Sequence, residues 1–202
     1  MNVPNTLTLS RFFLTAIMMA FLFAHFPFAR TMALIVFVVA GITDALDGRL
    51  ARTVYGVTAF GELLDPLADK VLVCAAFVSF VEIRIPGGGH PLVPAWIAVT
   101  IIAREFLVTG LRVLAGTKGQ NISAGIWGKH KTVWQIVAIS TMLIGLALEQ
   151  DLLPRVAPDA IPRFDFFFAW TAYLLAIGVA LITVVSGTVY IYQHRDLIRD
   201  EV

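Results

Sequence analysis

Charge is scarce in this sequence. Asp, Glu, Lys and Arg make up only 14% of its 202 residues, against 58% for the hydrophobic set. A soluble domain carries about 25% charged residues. So few polar groups cannot cover a globular surface, which excludes a soluble enzyme and a nucleic-acid module. The same apolar excess excludes disorder. Cysteine is scarcer still: the single Cys74 rules out an internal disulfide, and its apolar neighbours read as those of a buried packing thiol. The formal net charge of +1 says nothing about partners; the positions of the charges say more.

Long apolar runs are what the chain has in plenty. A membrane-spanning helix needs about 20 mostly apolar residues. Six segments fit that description: Phe12 to Ala29, Thr31 to Thr43, Pro66 to Val81, Pro91 to Leu111, Thr132 to Leu148 and Phe166 to Gln193. The first is a poor signal peptide, because no small-residue cleavage site follows and apolar segments continue to the end. Pro86 to Pro91 and Glu149 to Asp165 read as loops. The expected fold is therefore all-α, one polytopic domain over residues 1–202 with six transmembrane helices. Orientation follows from the basic residues. With six spans both termini share a side, and that side holds 11 of the 15 lysines and arginines. Both termini are expected in the cytoplasm and the protein in the cell (inner) membrane.

Four of the nine aspartates crowd into one segment, TDALDGRLARTVYGVTAFGELLDPLADK, from Thr43 to Lys70. On a helix Asp44 and Asp47 are i and i+3 and share a face with Gly48 and Ala51. Asp65 and Asp69 are i and i+4, with Gly61 one turn earlier on the same stripe. A short connection makes the two helices antiparallel neighbours, so all four carboxylates can face one site. Converging carboxylates repel unless protons or cations intervene, and the cost is high in a partly apolar setting. Hard oxygen donors without His or Cys suit Mg²⁺, Mn²⁺ or Ca²⁺ rather than zinc. Two divalent ions would balance four negative charges and can clamp a phosphoryl group. The glycines and alanine leave room for a large ligand, and Arg52 adds a cation suited to phosphate.

The segment fits D-x2-D-G-x2-A-R-x8-G-x3-D-x3-D, with Asp44, Asp47, Gly48, Ala51, Arg52, Gly61, Asp65 and Asp69 filling every fixed position. In this it resembles the CDP-alcohol phosphatidyltransferase family. The resemblance implies a six-helix membrane fold, usually a homodimer, that transfers a phosphatidyl group from a CDP-linked lipid to an alcohol and releases CMP. It also implies that the four aspartates hold two divalent cations, Mg²⁺ or Mn²⁺. Asp69 is implied as the base for the acceptor hydroxyl. Gly48, Ala51, Arg52 and Gly61 are implied at the CDP site.

The signature fixes the donor and leaves the acceptor open. Three further stretches are similar to the branch of the family that uses glycerol 3-phosphate: the opening NVPNTLTLSR, with Asn5 and Thr8 placed at the CDP site and Arg11 matching; IIAREFLVTGLR, Ile101 to Arg112; and GKHKTVWQ, Gly128 to Gln135. The likeness runs from about Asn2 to Leu143, and the last third is only generically hydrophobic. Charge agrees with a phosphorylated acceptor. Arg104, Arg112, Lys129 and Lys131 exceed what the donor needs, and a dianionic head group favours such cations. Glu105 and Arg112, seven apart on one face, are candidates for a buried pair. Two other readings stand beside this one. A different acceptor, phosphatidylglycerol or an inositol phosphate, keeps the chemistry. A divalent-cation transporter changes the class, but it leaves Gly48, Ala51 and Gly61 unexplained and puts Arg52 and Arg104 in a cation's way.

Overall fold

A computed structural model describes the backbone of residues 3–54, 59–85, 89–117 and 126–195, and the side chains of 9–43, 70–85, 89–116, 128 and 130–195. Six long helices carry the chain: α1 (Val3–Phe23), α2 (Ala29–Val54), α3 (Ala59–Glu82), α4 (Ala95–Thr117), α5 (Ile126–Ala147) and, after a short α6 (Leu153–Val156), α7 (Ile161–Gln193). Among the described residues the only β pairing is an isolated bridge between Arg84 and Pro91. The fold is all-helical, as expected. Two described stretches, His130–Val156 and Pro158–Gln193, are long and apolar enough to cross a membrane; Leu9–Phe23 and Ala29–Thr43 are shorter apolar helices.

The aspartate pairs lie at the end of one helix and in the first half of the next, as expected, and both helices run past their apolar runs. The second apolar run stops at Thr43, but α2 continues to Val54 and carries Asp44, Asp47, Gly48, Ala51 and Arg52 on its last three turns. Likewise α3 begins at Ala59, so Gly61, Asp65 and Asp69 occupy its first half. Charges interrupt hydropathy without interrupting backbone hydrogen bonding.

The stretch read as a loop, Glu149 to Asp165, is largely helical. A π-helical turn (Leu148–Leu152) follows α5, then α6, then a 3₁₀ turn (Pro158–Ala160). No glycine breaks the stretch, and Pro154, Pro158 and Pro162 each sit in the first two positions of a helical element, where the missing N–H is not needed. The π turn is held from α2: Arg30 Nε donates to Gln150 Oε1 at 2.7 Å, and the Thr31 backbone N–H and hydroxyl both donate to Asp151 Oδ2 at 2.8 Å. Of the α3–α4 connection, read as a loop over Pro86 to Pro91, residues 86–88 lie outside the described residues, and its described ends pair across it. Leu92 N–H bonds to the Ile83 carbonyl at 2.8 Å, Ile85 N–H to His90 at 3.0 Å, and Gly89 takes φ +62°, which suits glycine.

The core joins all six long helices through Met18, Phe37, Phe77, Phe80, Ile101, Ile139, Met142 and Phe168. Phe77 and Phe80 meet edge-on at 6.3 Å between centroids. The buried face of α7 is mostly small: Ala172, Ala176, Ala180, Thr183, Ser186 and Gly187, with Tyr190 closing the row. Small residues at this spacing let helix backbones approach closely, and α7 packs on both α4 and α5. The outward faces are apolar as well, with Phe13, Val99, Phe167, Trp170 and Leu174 exposed. Cys74 is half-buried rather than enclosed.

Candidate active site

The carboxylate signature sits on two continuous helices. Asp44 and Asp47 lie one turn apart on α2, and Asp65 and Asp69 one turn apart on α3. The side chains of Asn5, Thr8, Asp44, Asp47, Gly48, Ala51, Arg52, Gly61, Asp65, Asp69 and Lys129 lie outside the described residues. Among the described residues no three His, Cys, Asp or Glu side chains gather where they could hold a metal ion.

Next along α3 from Asp69 comes Lys70, and here the described side chains begin. Lys70 Nζ lies 3.2 Å from Glu105 Oε2 of α4. The other carboxylate oxygen, Oε1, takes Lys131 Nζ of α5 in a buried ion pair and accepts from Gln135 Nε2 at 3.3 Å. Glu105 and Lys131 are each 3% exposed. Lys131 and Gln135 are i and i+4, so one face of α5 presents both to the same carboxylate. The signature helix α3 is thus tied directly to the two helices that carry the extra cations.

Glu105 does not pair with Arg112 as expected from their spacing. Seven residues are two turns, about 10.5 Å along the axis, whereas Lys70 and Lys131 reach the carboxylate from neighbouring helices. Arg112 is exposed. Arg104 turns instead toward α7. Its Nη1 stays 3.7 Å from Glu105 Oε1, too long for a hydrogen bond. Its Cγ lies 3.0 Å from where a Cβ on Gly187 would be, so the absent side chain at 187 is what lets arginine and helix meet. Arg104 Nε is buried without a hydrogen-bond partner among the described residues, and so is the hydroxyl of Tyr190, three residues beyond Gly187 on the same buried face. Arg104 and Arg112 both lie within electrostatic range of Tyr190. Sequence reasoning passed over Tyr190. The signal was a polar ring continuing a stripe of small residues in an otherwise apolar helix.

One buried carboxylate amid three cations leaves this cluster at a formal +2. That charge lies one residue from the end of an aspartate signature. Residues 1–189 match the sequence model of the CDP-alcohol phosphatidyltransferases. The chain belongs to the CDP-alcohol phosphatidyltransferase family.

The match extends through nearly all of α7, well past the point where sequence motifs fade. One relative covers nearly the whole chain and others about seven-tenths of it. A protein of Bacillus subtilis (strain 168) is 44% identical, covering 98% of this chain and 97% of its own length. One from Rickettsia bellii (strain RML369-C) is 34% identical over 71% of this chain and 76% of its own. One from Salmonella choleraesuis (strain SC-B67) is 38% identical over 70% and 76%. All three are named CDP-diacylglycerol–glycerol-3-phosphate 3-phosphatidyltransferase.

Proposed function

We propose that this chain transfers the phosphatidyl group of CDP-diacylglycerol to glycerol 3-phosphate, giving phosphatidylglycerol phosphate and CMP in anionic phospholipid biosynthesis. The observation that carries the acceptor is the +2 cluster of Arg104, Lys70, Lys131 and Glu105 beside Asp69. A phosphate monoester dianion has the complementary charge, whereas serine, free inositol or another acceptor without a phosphate monoester has no use for it. The names of the relatives point the same way.

The chemistry is written as direct displacement. The acceptor's 1-hydroxyl oxygen forms a bond to the phosphatidyl phosphorus while the bond from that phosphorus to the CMP oxygen breaks, and its electron pair leaves with CMP. The hydroxyl proton passes to Asp69. Asp44, Asp47, Asp65 and Asp69 would hold two Mg²⁺ or Mn²⁺ ions, whose charge offsets that of the donor pyrophosphate. Gly48, Ala51 and Gly61 leave the helix surfaces open to the CDP moiety, and Arg52, Asn5 and Thr8 supply polar contacts to it. Arg104, Arg112, Lys129 and the Tyr190 hydroxyl hold the acceptor phosphate, with Lys131 acting beside them. A phosphoryl-enzyme route lacks a nucleophile once the aspartates are committed. Net inversion at phosphorus is expected; retention would point to a covalent intermediate.

The setting we propose is the inner membrane, with six spans formed by α1 to α5 and α7, both termini and the active site cytoplasmic, and two copies forming a homodimer. The apolar outward faces support the bilayer, because Phe167 and Trp170 on α7 and Val99 on α4 are left uncovered by the described residues. The 11-to-4 partition of basic residues supports the orientation. The deciding experiment is an acceptor screen with purified protein in detergent, following CMP release from CDP-diacylglycerol. Glycerol 3-phosphate should be the preferred acceptor. Faster release with glycerol, serine, inositol phosphate or phosphatidylglycerol would refute the acceptor, and absence of release with every acceptor would reopen the cation-transporter reading.

A further inference from the structure

Glu105 belongs to no part of the aspartate signature, yet it is the most connected ionised side chain described. A buried carboxylate is tolerated only where cations and donors fill its lone pairs. Glu105 is filled from two other helices: Lys131 and Gln135 of α5 on Oε1, Lys70 of α3 on Oε2. The adjacent Arg104 is left out, its Nη1 at 3.7 Å and its Nε without a hydrogen-bond partner among the described residues. The arrangement sorts the cations. Two lysine ammoniums are committed to the carboxylate, and among the described residues the Nε of the guanidinium keeps its donor. Lys70 is also the residue after Asp69, so the contacts of Glu105 begin where the aspartate signature ends.

We infer that Glu105 is a positioning residue for acceptor binding: it draws Lys131 and Lys70 onto α4, holds the cluster at +2, and leaves Arg104 as the donor that meets the acceptor phosphate. This rests on the proposed use of a phosphorylated acceptor. Glu105 touches neither substrate; it acts through the three cations. Without its charge, Lys131, Lys70 and Arg104 repel one another across a buried space, and the geometry that recognises the phosphate is lost while the CDP side is untouched. Lys131, buried and already paired, would then influence the acceptor chiefly through this carboxylate rather than as a free ligand.

The test uses the full chain in detergent, with Glu105→Gln, Glu105→Asp and the double variant Glu105→Gln/Lys131→Met. Initial rates of CMP release are measured with each substrate varied in turn, alongside thermal unfolding. Glu105→Gln should raise the KM for glycerol 3-phosphate at least about tenfold, the scale of one charge-assisted contact, and move the KM for CDP-diacylglycerol less than about twofold. Glu105→Asp keeps the charge and should fall between Glu105→Gln and the parent. The double variant removes a buried pair together, which is commonly tolerated. It should regain the thermal stability lost in Glu105→Gln but keep the high acceptor KM, because Lys70 and Arg104 remain unheld. A double variant with normal acceptor KM, or a Glu105→Gln enzyme in which both KM values are unchanged or rise together, would reduce Glu105 to a structural residue. If Glu105→Gln does not fold, the double variant and Glu105→Asp decide between the same outcomes. Lack of turnover by the unaltered protein with glycerol 3-phosphate would overturn the proposed function, and this inference with it; turnover by the unaltered protein with an indifferent Glu105 would overturn the inference alone.

Discussion

Gly187 offers a way to move Arg104 without touching a charge. An alanine Cβ there would sit 3.0 Å from Arg104 Cγ and 3.8 Å from its Nε. Carbon atoms rest at about 3.5–4.0 Å, so the arginine must give way by a few tenths of an ångström. Its side chain is 11% exposed and flanked by Glu105, which leaves it little room to recover the same end point by another rotamer. Binding groups tolerate about 0.5 Å of misplacement, and an error of about 1 Å can cost about 100-fold. Gly187→Ala should therefore lower kcat/KM for glycerol 3-phosphate by a few-fold, to about tenfold at most. Stability should not follow, because alanine is better than glycine in a helix by about 0.8–1 kcal/mol, which offsets much of the local crowding.

A matched control exists on the same helix. Gly178 has nothing within 4 Å of a built Cβ, so Gly178→Ala receives the helix benefit alone. It should keep normal kinetics and melt about 2–4 °C higher. The assay is CMP release at saturating CDP-diacylglycerol with glycerol 3-phosphate varied, together with thermal unfolding in the same detergent. If Gly187→Ala matched Gly178→Ala within twofold in acceptor kinetics, Arg104 would have no part in acceptor recognition.

Other outcomes follow from the same geometry. Gly145→Ala would drive a Cβ into the Phe168 ring where α5 meets α7; at the upper end of overpacking, about 3 kcal/mol less about 1 for helix propensity, the melting temperature should fall about 4–8 °C, and Gly145→Ala/Phe168→Leu should recover most of it. Asn at Asp44, Asp47, Asp65 or Asp69 should remove most activity, Asp69 at least as severely as the rest, and EDTA should do so reversibly; full turnover in EDTA would end the metal reading. Arg112→Gln should cost about 10- to 150-fold in acceptor kcat/KM, with Arg112→Lys a partial rescue because lysine lacks the bidentate fork. Reporter fusions or cysteine labelling should place the 86–91 and 149–165 connections outside the cell and the 55–58 connection inside, and the reverse would overturn the orientation.

The aspartate signature was legible because its information is local. Spacings of three and four put Asp44 with Asp47, and Asp65 with Asp69, on single faces of any helix, and the structure adds that α2 and α3 run unbroken through them. What sequence could not supply was every contact made across helices. Lys131 is 26 residues from Glu105 and Lys70 is 35 before it, so nothing in the spacing joins them, and Arg112 was the nearest candidate on the same face. The 149–165 stretch misled for a related reason. Its prolines and charges read as loop signals, but each proline opens a helical element and Gln150 and Asp151 turn inward to Arg30 and Thr31.

Tyr190 shows how fold and site depend on one feature. In a bilayer, helices gain little from burying apolar surface against each other, because lipid tails are as apolar as side chains. Association comes from close packing, which is why the buried row of α7 is Ala172, Ala176, Ala180, Thr183 and Gly187. Closeness then has a chemical consequence. Where Gly187 lets α7 reach Arg104 of α4, the next residue on the row is a large one, and it ends in a hydroxyl. A phenylalanine at 190 would fill nearly the same volume and keep the helices together. It would leave Arg104 facing hydrocarbon instead of a polar group. Tyr190→Phe should therefore preserve the melting temperature and weaken glycerol 3-phosphate binding by the worth of one hydrogen bond to a charged partner, about 1.5–3 kcal/mol or 10- to 150-fold in KM. Unchanged acceptor binding in Tyr190→Phe would assign the ring to packing and remove α7 from the acceptor site.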